Sequence, residues 1–489
     1  MKSLKLKKSN KCFLGRYFVI YITFLAGCFT ILEAQEVKKL NVLFIASDDL
    51  NNDMEVFDSP FIQTPNLNRL LNRGVRFDRA YNQYPWCSPS RASVLTGRRP
   101  DQTKVTDLKT EFRKHLPDAV TLPQLFKNNG YFSARVGKIF HYGVPNDIGT
   151  DGQDDPVSWN YRVNPIGIDK TEEHNIINYT PDRGLGSALS YWMANGSDDD
   201  QTDGKVANEA VKIIKKHKDD PFFLAVGFFR PHTPYVAPKK YFDLYPLDKI
   251  RLPEERDDDW DNKPEAAKWN AKMHFGLSVQ QRKEVLRAYY ASISFMDAQV
   301  GKLLDALDET GLSENTIIVF WSDHGYNVGQ HGQWMKQSLF EHAARTPLII
   351  SSPGMQQDRI TESIVELLDI YPTIADLAGI PVSSDIEGKS LRKILEEPSL
   401  DWDTCAYTQV FRRPSAMSSS EVTETIDGRS VRYRQWRYTE WNGGDAGMEL
   451  YDYDNDPNEF QNLVHKPEYK SIRNLMAVLL HKNQAKVSE

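Results

Sequence analysis

The chain has 489 residues, 40% hydrophobic and 26% charged, with 28 glycines, 26 prolines and a formal net charge of −7. These proportions exclude collagen-like, coiled-coil and wholly disordered chains, and a chain of this length needs no disulfide staples for its core. The acidic balance excludes nucleic-acid binding through the overall field, so an anionic substrate has to meet positive charge that is locally placed.

Residues 1–34 read as a targeting segment. Lys2, Lys5, Lys7, Lys8, Lys11 and Arg16 precede an apolar run over 17–32 that ends at Glu33-Ala34-Gln35. A basic start, a short apolar centre and a small residue at the end describe a secretory signal. The run of about 16 residues falls short of the roughly 20 of a membrane span. Cleavage is expected near Ala34, which makes the mature protein exported and periplasmic. Leu25-Ala26-Gly27-Cys28 also resembles a bacterial lipobox, which would lipidate Cys28 and leave the protein anchored at the membrane or cell surface. An uncleaved anchor is the third reading. No other stable membrane span is expected. Losing the leader removes six basic groups and one acidic group, which moves the net charge to −12. The cysteines left, Cys87 and Cys405, make no disulfide framework.

Beyond the leader, β-rich apolar runs alternate with amphipathic stretches. This predicts an α/β domain over 35–380, built on a large, mainly parallel sheet flanked by helices, and a smaller C-terminal subdomain over 381–489. Ligands of such sheets gather beyond the carboxyl ends of the strands. The run 40–47 leads into Asp48-Asp49. Next, Cys87-Ser88-Pro89-Ser90-Arg91-Ala92-Ser93-Val94-Leu95-Thr96-Gly97 reads as a helix with Ser88 as cap, Pro89 at the first helical position and Gly97 as stop. Cys87 then sits at a helix N-terminus, where free N–H groups favour anions, and Arg91 lies one turn along the same face. The run 131–136 leads into Gly137-Lys138 and His141, the run 222–229 into Arg230-Pro231-His232, and the run 316–322 into Asp323-His324. If these ends share one edge, they pair a site for a hard cation such as calcium or magnesium with an anion-binding group. Helix capping is the alternative for each aspartate, and a buried structural role the alternative for Cys87. The acidic stretch 257–261 reads as a solvated loop. A strand of a small antiparallel sheet is expected over 430–438, covered by a helix over 469–482.

Cys87-Ser88-Pro89-Ser90-Arg91 followed by Leu95-Thr96-Gly97 resembles the signature of the formylglycine-dependent sulfatases, in the alkaline phosphatase superfamily. The segment 365–373 resembles a recurrent helix of these enzymes, and Glu449-Leu450-Tyr451-Asp452 with Asp456-Pro457 their C-terminal subdomain. Within the family, the stretches 137–141, 230–235 and 329–336, with Asp323-His324, most resemble the iduronate-2-sulfatase branch. Departures lie in the substrate loops over 144–203 and 409–414.

The resemblance implies an alkaline phosphatase-like fold and a Cys87 oxidised to formylglycine by a formylglycine-generating or anaerobic sulfatase-maturating enzyme. It also implies one Ca²⁺ held by Asp48, Asp49, Asp323, His324 and the modified Cys87. Arg91 is expected to hold the nucleophile, and Lys138, His232 and Lys336 to clamp the sulfate. His232 is the candidate general acid with Lys336 as its rival, and His141 the acceptor of the last proton. Trp334 could stack on a sugar, and Arg412 or Arg413 could pair with a uronate carboxylate. The expected substrate is a sulfated oligosaccharide or polysaccharide, with 2-O-sulfated uronates or pentoses from glycosaminoglycan or ulvan leading. Two rivals remain. One is a phosphodiesterase or phosphonate hydrolase of the same superfamily, and the other a non-catalytic carbohydrate-binding protein with an unmodified Cys87.

Overall fold

The structure is a computed structural model that describes residues 39–270, 272–413 and 424–488, with side chains followed to residue 482. The expected leader, with Cys28 and Ala34, lies outside the described residues, as does Pro414. No helix among the described residues is long and apolar enough to cross a membrane.

Eight strands form the main sheet: β1 (Asn41–Asp48), β2 (Val75–Tyr81), β3 (Phe132–Gly137), β4 (Tyr161–Val163), β5 (Phe222–Pro231), β6 (Thr316–Ser322), β7 (Leu348–Ser351) and β8 (Arg359–Glu366). Their order is β8-β2-β7-β6-β1-β5-β3-β4. Only β7 runs antiparallel to its neighbours, so the sheet is mainly parallel as the apolar runs predicted. Every residue of β1, β5 and β6 is buried, because both faces are covered. Successive side chains of β1 point to opposite faces. Leu43 and Ile45 join Val206, Leu286 and Ile293 on one side, while Val42 and Phe44 join Leu95 and Ile374 on the other.

The helices that matter here are α1 (Cys87–Thr96), α2 (Thr202–Lys216), α3 (Val279–Thr310) and α4 (Lys470–Ser488). A capping box between Ser278 and Gln281 starts α3, and Gly311 at φ 70° stops it. The segment expected as one helix over 365–373 is divided. Val365 and Glu366 finish β8, a short 3₁₀ turn spans Leu367–Asp369, and the helix runs Ile370–Leu377. The β-branched Val365 pairs with Ala80 of β2, and this sheet partner takes the start of the segment out of the helix.

Two glycines let β3 and β5 converge where their chemistry begins. Gly137 faces Gly227 in the parallel register, and Lys138 N–H donates to the Gly227 carbonyl at 3.0 Å. A Cβ on Gly227 would stand 1.8 Å from the Lys138 carbonyl oxygen, which is backbone and cannot swing aside. Gly227→Ala is therefore expected to destabilise the fold by about 1–3 kcal/mol and to displace Lys138. A thermal melt and an activity assay check this, and a variant with parental values in both would refute it.

The C-terminal sheet is antiparallel, in the order β9 (Ala406–Arg412), β10 (Ile426–Tyr433), β11 (Trp436–Trp441) and β12 (Met448–Asp452). The strand expected over 430–438 is a hairpin, with Arg434 in its turn at φ 51°. No Gly, Asn or Asp marks that turn, so the sequence hid it. Helix α4 covers the sheet through Met476 and Leu480, packed with Val431 and Leu450. The sheet braces the approach to α1. Gln409 N–H donates to Gln83 O at 3.0 Å, Thr408 Oγ1 to Asn82 O at 2.7 Å, and Phe411 N–H to Tyr84 Oη at 2.9 Å.

Candidate active site

Strands β6, β1, β5 and β3 are consecutive neighbours in the sheet, so the four expected ends lie side by side. Ser47 is level with Ser322 and Asp48 with Pro231, which brings Asp323 and His232 to either side of the Asp48-Asp49 pair. Asp49 has φ 63°, a left-handed conformation that costs a non-glycine residue free energy. It is held there by Tyr289 Oη, which donates to Asp49 O at 2.9 Å, and by its own N–H, 3.3 Å from Asp323 Oδ1. The turn sends the Asp49 carboxylate towards α1.

Helix α1 begins at Cys87 with Trp86 as its cap, two residues before the expected first helical position at Pro89. All ten of its residues are buried, and Ser90 Oγ donates to the Asp323 carbonyl. Cys87 Sγ lies 3.4 Å from His324 Nε2, 3.4 Å from Lys336 Nζ and 3.9 Å from Asp49 Oδ1. Arg91 projects one turn further on and donates to Asp323 Oδ2 at 2.9 Å, to Asp48 Oδ1 at 3.3 Å and to the carbonyls of Lys138 and Ile139. It therefore positions the carboxylates from beneath and makes no hydrogen bond with Cys87. Lys138 is also fully buried, with Nζ on Asp48 Oδ2 at 2.6 Å, behind the cavity wall instead of within it. Lys336 reaches over the top, its Nζ 2.5 Å from Asp49 Oδ1.

Three buried cations thus face three buried carboxylates, but unevenly. Burial works against ionisation of Asp48, yet the cations Lys138, Arg91 and Lys336 outweigh it and hold its pKa well below the usual value. For Asp49 burial wins, helped by Asp48 and Asp323, and raises its pKa despite Lys336. Asp49 Oδ2 has no hydrogen-bond partner. Oxygens of Asp48, Asp49 and Asp323 lie within 4.8 Å of one another, and Cys87, Asp323 and His324 form an equally tight group. A bound cation would satisfy this orphaned, buried carboxylate oxygen among other carboxylates. His324 fits the set, since Nδ1–H donates to Gly325 O at 2.8 Å and leaves Nε2 as the free lone pair. The residues present fit a divalent cation.

Burial pushes the Cys87 thiol far up, against the pull of Lys336 and Lys138. An unmodified Cys87 would be inert as a nucleophile. The two histidines are held neutral by burial and by cationic neighbours, Lys138 beside His141 and Lys336 beside His232. Nδ1–H of His232 donates to Thr233 O at 2.6 Å, while Nε2 lies 3.6 Å from Asp49 Oδ2. The Nδ1 of His141 is buried without a partner.

A cavity of about 400 Å³ opens onto this cluster, with Asp49, Cys87, His141, His232 and Lys336 at its base. Its walls include Trp86, Trp269 and Arg183, none of which carries a sequence motif. Arg183 does fall in the 144–203 stretch expected to shape substrate binding.

Three expected substrate contacts are elsewhere. Trp334 is fully buried, with Nε1 donating to His274 Nδ1 at 3.1 Å and its carbonyl accepting from Trp269 Nε1 at 2.6 Å. It packs where the sequence suggested stacking on sugar. Arg412 is 1% exposed, donates to the carbonyls of Ala266 and Ala267, and lies 5.2 Å over the Trp441 ring. Arg413 is exposed and pairs with Asp107 at 3.4 Å. Strand β9 buries Arg412 in the subdomain core and Arg413, just past its end, faces solvent, so neither lines the cavity. The expected solvated loop over 257–261 is also pinned: Asp259 accepts from Lys263 Nζ at 2.6 Å and pairs with His331 Nδ1 at 3.0 Å.

A family model described as Sulfatase matches residues 40–380, and one described as N-sulphoglucosamine sulphohydrolase, C-terminal, matches residues 329–486. A protein of Formosa agariphila named Sulfatase is 33% identical, over 96% of this chain and 92% of its own. Iduronate 2-sulfatase of Homo sapiens is 33% identical, over 87% of this chain and 91% of its own. Among solved structures, the phosphonate monoester hydrolase of Silicibacter pomeroyi superposes with a TM-score of 0.76 at 21% identity, covering 92% of this chain and 96% of its own. That likeness shows the fold alone.

Proposed function

This chain belongs to the sulfatase family and is a sulfuric ester hydrolase, and from that premise we propose that it is exported and removes sulfate from a sulfated carbohydrate. In this reading Cys87 is converted to formylglycine by a maturing enzyme, and residues 1–34 direct export. The protein is then periplasmic if cleaved near Ala34, or lipid-anchored if Cys28 is acylated. The observation that carries the reading is the meeting of Lys336, His232 and His141 with buried carboxylates around Cys87 at the base of one cavity.

Asp48, Asp49, Asp323 and His324 would hold a calcium ion beside the modified Cys87. When bound, the ion supplies positive charge at the attacking oxygen, and the formylglycine supplies that oxygen. The chain's own residues do the rest. Lys336 Nζ meets the anionic ester, kept protonated by Asp49, which raises its pKa against the effect of burial. Arg91 and Lys138 fix Asp48 and Asp323 from beneath, so the carboxylates need no rearrangement as charge develops. His232 enters neutral, and the negative charge of a bound sulfate favours uptake of a solvent proton on its Nε2. It gives that proton to the departing sugar oxygen. His141, whose Nδ1 has no partner, takes the proton released when the site resets.

The substrate proposed is a 2-O-sulfated uronate or pentose at the end of a glycosaminoglycan or ulvan oligosaccharide. It rests on the likeness to iduronate 2-sulfatase. Sulfate release from defined oligosaccharides tests it. At least a tenfold preference for 2-O- over 6-O-sulfated sugars is expected. The opposite preference would overturn the position, and no release from any saccharide by fully converted protein would overturn the substrate class.

A further inference from the structure

The cavity wall holds a cation that the proposed mechanism does not use. Arg183 is half-buried at the turn before a short 3₁₀ helix, Leu185–Ser187. Its Nε donates to Ser187 O. Neither terminal nitrogen has a hydrogen-bond partner among the described residues, and no carboxylate there pairs with it. Burial lowers its pKa, as expected for a charge taken partly out of water without a counter-ion. The half-buried Arg113 does find a carboxylate, Asp155 at 2.6 Å.

The guanidinium is nonetheless aimed. Its carbon lies 5.6 Å over the Trp269 ring and 4.9 Å over the Phe275 ring, which holds the guanidinium against two aromatic faces. The backbone that carries it is fixed to the active site. Thr233 Oγ1, next to His232, donates to Ala188 O. A Cβ on Gly186 would stand 2.1 Å from the Val144 carbonyl, so this turn lies flush against the 144–146 wall.

We propose that Arg183 is a specificity residue that pairs with the carboxylate of a sulfated uronate whose sulfate sits among His232, Lys336 and Cys87. The inference rests on the sulfated-carbohydrate reading and deepens it. Three chemical facts favour a carboxylate. A guanidinium fork matches a planar carboxylate with two parallel hydrogen bonds. In a pyranuronate, C2 and C5 lie across the ring from each other, so a 2-O-sulfate on the cavity floor sends the C5 carboxylate towards a wall. The walls offer no other uncommitted arginine or lysine among the described residues. A site built to pair one charged group also discriminates strongly against a substrate lacking it.

The test uses the matured, calcium-loaded protein and two matched substrates. One is a 2-O-sulfated uronate disaccharide, and the other the same disaccharide with its carboxylate reduced to a hydroxymethyl group. The parent is expected to favour the uronate at least tenfold in kcat/KM. Arg183→Ala should collapse that ratio towards one by raising KM, while Arg183→Lys keeps part of it. A thermal melt of each variant shows whether it folds. If the parent shows the preference and folded Arg183→Ala retains it, the carboxylate is read elsewhere and the inference falls. If the parent cleaves both saccharides equally, no carboxylate is read, and the inference falls while the sulfated-carbohydrate reading stands. If the parent releases sulfate only from an aryl ester, both fall. A 2,6-disulfated sugar without a carboxylate forms the last arm. An equal loss on it for Arg183→Ala would show that Arg183 reads any second anion, which overturns the carboxylate assignment.

Discussion

Cys87→Ala should lose turnover by about 10⁴-fold or more, because no other side chain at the cavity base can supply the attacking oxygen. The substitution deletes one heavy atom at a buried helix start, where alanine is a good helix former, so the melting temperature should stay within a few degrees of the parent. The unmodified thiol should be as inactive as the alanine, since burial keeps it protonated. Activity across preparations should therefore track the fraction of protein about 18 Da lighter than the cysteine form. Turnover within tenfold of the parent for Cys87→Ala would falsify the nucleophile assignment.

Calcium removal is expected to have a comparable effect on activity and a further one on stability. Without a cation, Asp48, Asp49 and Asp323 stand as close carboxylates with only Lys138, Lys336 and Arg91 to balance them. Exhaustive chelation should abolish turnover and lower the melting temperature, and added calcium should restore both. Asp49→Asn separates the two effects by sign. Its carboxylate is the one whose ionisation burial and the neighbouring carboxylates disfavour, so in chelated protein the amide should melt higher than the parent. With calcium the order should reverse, because the amide is the poorer ligand. Asp49→Asn melting below the parent under both conditions would remove the cation from the account of this cluster, as would full activity in protein shown to be metal-free.

The central strands and their chemical ends were legible because both sides of the sheet are covered. Runs such as 316–322 then read as unbroken apolar stretches, and the charged residues at their carboxyl ends stand out against them. Asp48, Asp49, Lys138, His232 and Asp323 could be found this way, and Cys87 by its helix start. The features that stayed hidden depend on partners distant in sequence. Asp259 looked solvated because nothing nearby announces His331, 72 residues on. The turn at Arg434 carries no turn residue. Arg412 and Arg413 were attractive as cations in a plausible loop, but the β9 register buries Arg412 against Trp441, and Arg413, just past the strand, pairs with the distant Asp107. Arg183 was invisible for the converse reason: its mark is a missing counter-ion, and a sequence does not display absences.

The brace on the approach to α1 has a consequence for the life history of the chain. Cys87 is 1% exposed, the helix it opens is buried throughout, and β9 is bonded to Asn82, Gln83 and Tyr84 just upstream. A second protein cannot close its own catalytic groups around a thiol so enclosed. On the proposed reading, a maturing enzyme would have to meet this segment as an extended strand, before the C-terminal sheet docks over it. Synthesis runs from the N-terminus, so Cys87 leaves the ribosome some 300 residues ahead of β9, which begins at Ala406. On the proposed reading, that interval is the window for conversion. A variant that hastened docking of the C-terminal sheet could be more stable once folded and yet emerge less active, with a larger share of its molecules closed around an unconverted thiol.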